Sequence, residues 1–136
     1  MEFAGIVFVE CRYRFRRTAV LTTCSTQQPD KHVLEKILEE IAFLEGLLNG
    51  VDLDAFISDE TVKRAAAMAS INIGELAKHL SDDFYAAYPG SELRYAARTR
   101  DVYAHGYYTL RFETVYKTAV EDYPCVKSWI LEHLDD

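Results

Sequence analysis

Apolar residues recur at helical spacing along most of the chain, from about Asp30 to Leu134. Val33, Ile37, Ile41, Leu44 and Leu48 step by 4, 4, 3 and 4 residues and so share one face of a helix. Pro29 precedes this helix, Asp30 is its predicted N-cap, and Asn49-Gly50 is its stop signal. A short acidic linker runs to Ile57. Ser58 then caps a second long helix, with Asp59 and Glu60 complementing the positive end of its dipole. Val62, Ala66, Ala69, Ile73, Leu76 and Leu80 make a heptad-like seam whose alanines let another helix come close. Beside it Met68, Asn72, Glu75 and His79 form a polar stripe, read as a solvated edge, the other reading being a share in a site.

A short helical turn over 82–87 stops at Tyr88-Pro89-Gly90, and Ser91 caps the next helix, which Gly106 ends. Phe112, Val115, Tyr116, Ala119 and Val120 continue the pattern. Pro124 kinks or restarts it, and Val126, Trp129, Ile130 and Leu134 finish the core. The expected fold is all-α: an antiparallel bundle of four long helices plus a short one over 30–136. Residues 1–29 do not fit this pattern. Phe3 to Val9 would suit a short strand with nothing to pair with, and Arg12, Arg14, Arg16 and Arg17 follow it. A secretory signal places its charges before the apolar run, so this order is wrong for export. The segment is read as a disordered N-terminal extension, arising from a start codon chosen too far upstream. A basic RNA-binding arm is the alternative.

The chain suits one domain, and no apolar run approaches the ~18 residues of a membrane span. Three widely spaced cysteines, Cys11, Cys24 and Cys125, are read as separate thiols, which fits a cytoplasmic protein. Charge changes the picture more. The net charge is −7, which argues against broad coating of nucleic acid, yet residues 94–111 hold Arg94, Arg98, Arg100 and Arg111 against the single acid Asp101. The same stretch carries His105 and four tyrosines. Arginine offers a fork of donors that matches phosphate oxygens, and histidine can take and give a proton near neutrality.

On a helix, Arg94, Arg98, Asp101 and His105 share one face, whereas Arg100 lies about 140° from His105. Helical geometry alone therefore does not choose between Arg98 and Arg100 as the partner of His105. A lone histidine also has a structural reading, as a helix C-terminal residue facing the dipole. No Walker loop, metal-ligand cluster or nucleotidyltransferase signature is present, and no cofactor is expected.

The run Arg100-Asp101-Val102-Tyr103-Ala104-His105-Gly106-Tyr107 resembles the signature of the HEPN domains, and among them the HepT-like ribonuclease toxins. That signature is Arg, usually followed by Asn, then His after four to six residues and Tyr two beyond it. The likeness extends over about 30–134, including Ile73-Gly74-Glu75 and Tyr123-Pro124, and leaves out residues 1–29. It implies a metal-independent endoribonuclease, the toxin of a type VII-like toxin–antitoxin pair, with Arg100 and His105 as catalytic residues. It further implies a homodimer in which two motifs meet in one cleft. A nucleotidyltransferase antitoxin that AMPylates Tyr107 is the implied partner. The alternative is a non-catalytic HEPN subunit that lends a nucleotidyltransferase its substrate or nucleotide contacts. Asp101 stands where the family usually has Asn. Being one turn before His105, it is expected to orient the ring and favour imidazolium, with Arg98 as a further supporting residue. Tyr103 and Tyr108 are read as core or interface residues.

Overall fold

The computed structural model describes residues 28–135, so the expectations for the strand, the arginine run and the extension at 1–27 lie outside the described residues. Helix α1 spans Gln28–Leu48, two residues earlier than expected, with Pro29 in a first turn where its missing N–H is harmless. Its core face is Leu34, Ile37, Ile41, Leu44 and Leu48, with Leu34 rather than Val33 as the fully buried first member. Gly50 turns the chain with φ at 72°, a conformation that only glycine adopts cheaply.

The acidic linker is itself a helix. Asp52 accepts from the Ala55 N–H at 2.8 Å and starts α2 (Leu53–Ser58), which buries Phe56 against Tyr116. Ser58 therefore ends α2, its hydroxyl donating to the Asp54 carbonyl, and Asp59 caps α3 (Glu60–Lys78) through the N–H groups of Thr61 and Val62. Asp outcompetes Ser here because its carboxylate also complements the dipole. Ser81 caps α4 (Asp82–Ala87). It is held in turn by Asp30, whose carboxylate accepts from the Ser81 N–H at 2.8 Å and its hydroxyl at 2.6 Å. Asp30 thus serves the start of α4 rather than capping α1.

The helix that carries the Arg–His motif is α5 (Leu93–His105), buried along Leu93, Ala96, Thr99 and Tyr103. The Ser91 hydroxyl accepts from the Leu93 N–H at 3.3 Å at its start. After a 3-10 turn over 107–109, α6 (Phe112–Lys117) runs through a wider π turn at 118–122 into α7 (Tyr123–His133). The wider turn sits just before Pro124, whose ring and absent N–H are incompatible with a regular bond to the residue four back. The fold is all-α, an antiparallel bundle of α1, α3, α5 and α6–α7, with α2 as a short helix beyond the one expected.

Helix α3 lies between α1 and α5 and is buried on both sides by small residues: Ala66, Ala67, Ala69, Ser70, Gly74 and Ala77, with Ile73. A methyl group at Gly74 would stand 2.5 Å from the Ala96 carbonyl oxygen of α5 and closer still to Arg100 Cβ. Gly74 therefore sets how near α3 approaches the motif helix. No helix among the described residues is long and apolar enough to cross a membrane.

Candidate active site

The close approach at Gly74 lays one edge of α3 along α5, and four charged side chains meet there. Arg100 turns toward α3, with Nε 2.9 Å from Glu75 Oε2 and Nη1 2.9 Å from Asp101 Oδ1. The Glu75 contact is a charge contact rather than an aligned hydrogen bond, and both of its atoms are buried. Lys78, one turn beyond Glu75 on α3, reaches the same Asp101 oxygen at 2.5 Å. Hydrogen bonds from Lys78 and then Arg100 hold the Asp101 carboxyl below its ordinary range, so it stays ionised. Arg100 Nη2 has no acceptor among the described residues.

The expected contact between Asp101 and His105 is absent, since the carboxylate faces Lys78 and Arg100 instead. Lys78 from α3 and the adjacent Arg100 of α5 together outcompete a ring one turn along the same helix. His105 is the last residue of α5, exposed, with no hydrogen bond or ion pair to Arg98, Arg100 or Asp101. Arg98 is exposed as well, its guanidinium 5.9 Å from the centre of the Tyr95 ring. Tyr95, Arg98, Val102 and His105 follow one another along the outer face of α5. Two of these, Tyr95 and Val102, are 48% and 44% exposed apolar side chains. Arg94 leaves the site and lies over the Tyr85 ring at 4.4 Å.

Beyond His105, the Gly106 N–H closes the helix on the Val102 carbonyl, and Tyr107 begins the 3-10 turn. The Tyr107 ring is half-buried edge-on against Phe112 and Tyr108, and its hydroxyl makes no hydrogen bond among the described residues. Tyr103 is a core residue, its hydroxyl pushed up to about 12 chiefly by burial. Tyr108, by contrast, is fully exposed. Among the described residues no group of three or more His, Cys, Asp or Glu is spaced to hold a metal ion.

Within one chain the site thus has a guanidinium oriented by carboxylates, a second cation beside it, and an exposed imidazole on a different face of α5. It has the groups to bind a phosphodiester and to move a proton, but on separated faces of α5. Lys78 escaped sequence reasoning, and Glu75 was read as part of a solvated edge. The available signal was Gly74, an isolated glycine inside an alanine-rich helix, which marks a close helix approach.

The chain is similar to several known proteins. Residues 37–132 match the family described as Ribonuclease HepT-like. A protein of Thermococcus cleftensis named "Probable ribonuclease HepT" is 32% identical over 97 residues, covering 71% of this chain and 88% of that protein. A provisionally named RNase of Methanocaldococcus jannaschii is 29% identical over 91 residues, covering 67% of this chain and 75% of that one. Another, from Caldanaerobacter subterraneus subsp. tengcongensis, is 27% identical over 101 residues, covering 74% and 90%. No solved structure matches the chain.

Proposed function

The chain belongs to the HepT-like ribonuclease family, and from that premise we propose that it is an endoribonuclease whose active unit is a homodimer. Its chemistry is attack of a ribose 2′-hydroxyl on the adjacent phosphodiester. One His105 takes the 2′-proton as the new O–P bond forms. His105 of the second copy, as imidazolium, gives a proton to the departing 5′-oxygen. Arg100 neutralises the charge that builds on the phosphoryl oxygens. The products are a 2′,3′-cyclic phosphate and a free 5′-hydroxyl, and the route asks for no metal ion. DNA is spared because it lacks the nucleophile.

The observation that carries the dimer is the placement of His105. One imidazole serves poorly as base and acid in a single step, and here it is exposed on the same face as Tyr95 and Val102, without a hydrogen-bond or ion-pair partner among the described residues. A two-fold axis along that face supplies the second imidazole and covers the apolar side chains.

The protein acts as the toxin of a type VII-like toxin–antitoxin pair, and its antitoxin is a nucleotidyltransferase that AMPylates Tyr107. The Tyr107 oxygen attacks the α-phosphate of ATP, loses its proton and releases pyrophosphate. The unbonded hydroxyl, two residues past His105, supports this, because an adenylyl group there adds negative charge beside the site. The second reading, a non-catalytic binding subunit, is favoured by one observation: Glu75 and Asp101 together cancel the charges of Arg100 and Lys78. An assay of purified protein on RNA with chelator present decides between them. Cleavage leaving cyclic phosphate ends, lost in Arg100→Ala and His105→Ala and on 2′-deoxy substrate, supports the nuclease. Nucleotide or nucleotidyltransferase binding without cleavage supports the second reading.

A further inference from the structure

Asp101 Oδ1 is shared by Lys78 Nζ at 2.5 Å and Arg100 Nη1 at 2.9 Å. A single anionic oxygen between an ammonium and a guanidinium is the arrangement in which proteins hold a non-bridging phosphate oxygen. The two cations come from different helices, α3 and α5, so their spacing is set by the packing at Gly74 rather than by a flexible loop. The three groups are not equally held. Glu75 grips the buried Nε edge of Arg100, while the Asp101 side chain is 50% and the Lys78 side chain 35% exposed. The exposed pair is screened by water and salt and is weakly held, so its anion is the one that a stronger ligand replaces.

We propose that Lys78 is a phosphate-binding residue of the RNA site, and that Asp101 is a resident anion displaced when a phosphate of the RNA enters between Lys78 and Arg100. This rests on the ribonuclease reading of the same site and adds its second cation and an internal competitor. Lys78 brings a positive charge that the Arg–His motif does not contain. Glu75 stays in place and keeps the guanidinium aimed, with Nη2 open for a further phosphate oxygen. On an acidic chain such a competitor also disfavours weak anions and chance phosphates, because each must expel a carboxylate first.

The two partners of this ion pair are expected to act with opposite signs. A 2′-O-methyl RNA pool of randomised sequence, which cannot be cleaved, is titrated against wild type, Lys78→Ala, Lys78→Arg, Asp101→Asn and Arg100→Ala over a range of salt. Lys78→Ala is expected to bind roughly tenfold more weakly and to lower the slope of log affinity against log salt by about 0.7, the value for one phosphate contact on a single strand. Lys78→Arg keeps affinity, and Asp101→Asn binds several-fold more tightly than wild type. If Lys78 only ties α3 to α5, both Lys78→Ala and Asp101→Asn lower the melting temperature and bind alike, which overturns the inference. Wild-type binding lost in Arg100→Ala but unchanged in Lys78→Ala also overturns it while leaving the nuclease reading standing. A wild type that neither binds this pool nor cleaves RNA overturns both.

Discussion

Adding one methyl group at Gly74 tests whether the packing of α3 on α5 controls the site. The new Cβ of Gly74→Ala meets the Ala96 carbonyl oxygen at 2.5 Å and Arg100 Cα at 3.3 Å, with Arg100 Cβ nearer than either. Ordinary contact begins at 3.4 Å, so the helices must part by about 1 Å. None of these atoms can swing away by rotating a side chain. Overpacking of this kind costs about 1–3 kcal/mol, while alanine gains about 1 kcal/mol over glycine in a helix. A net loss of about 0–2 kcal/mol follows, seen as a melting temperature lower by up to several degrees. Activity is expected to fall further than stability does, because Glu75–Arg100 and Lys78–Asp101 both span the same gap. A displacement of about 1 Å in a positioned group can reduce a rate by ~10²-fold. Urea unfolding and RNA cleavage well below the melting point measure the two effects separately. Gly46→Ala is the control: its Cβ would meet nothing within 4 Å in the last turn of α1, so it should stabilise by up to about 1 kcal/mol and leave cleavage unchanged. If Gly74→Ala retains wild-type stability and rate, the argument from close approach is wrong.

Three further outcomes are expected. Asp30→Ala removes the acceptor of two hydrogen bonds from Ser81 at a residue only 4% exposed and should cost about 2–4 kcal/mol in urea unfolding, with Asp30→Asn costing less. The Asp122 carboxyl, at the π turn, is pushed up to about 6 by burial and then by the nearby Glu92. A raised carboxyl contributes stability below its unfolded value near about 4, lost as pH rises through about 6. Asp122→Asn should therefore melt higher than wild type at about pH 7.5, an advantage gone at about pH 4; equal differences at both would refute the assignment. Val102→Glu, on the outer face of α5 and away from the core, should leave the melting curve of the isolated chain intact. It should also abolish the dimer in sedimentation and the cleavage with it.

The helices were legible because each buries a stripe that repeats along it. The face of α1 and its stop at Gly50 could be read directly, and the all-α class followed. Helix α2 was hidden because six residues give too short a pattern, and because Asp52 and Asp59 read as acidic linker rather than as caps. In the candidate site, Arg100, His105 and Tyr107 were singled out by a local motif. Their surroundings were not, since Glu75 and Lys78 reach Arg100 and Asp101 only through the pairing of two helices more than twenty residues apart in sequence. The expectation for Asp101 failed for the same reason. Reasoning along one helix offered His105 as its neighbour, while the stronger partner stood on α3.

The proposal that each cleavage event uses His105 from both copies can be read from mixed dimers. Wild type and His105→Ala are mixed in equal amounts, allowed to exchange subunits, and assayed for RNA cleavage against wild type at the same total chain concentration. If both imidazoles are required, only dimers of two wild-type chains work, and activity falls to about a quarter. If each imidazole works alone in its own chain, activity stays near one half, and if one per dimer is sufficient, near three quarters; either result contradicts the shared two-copy site.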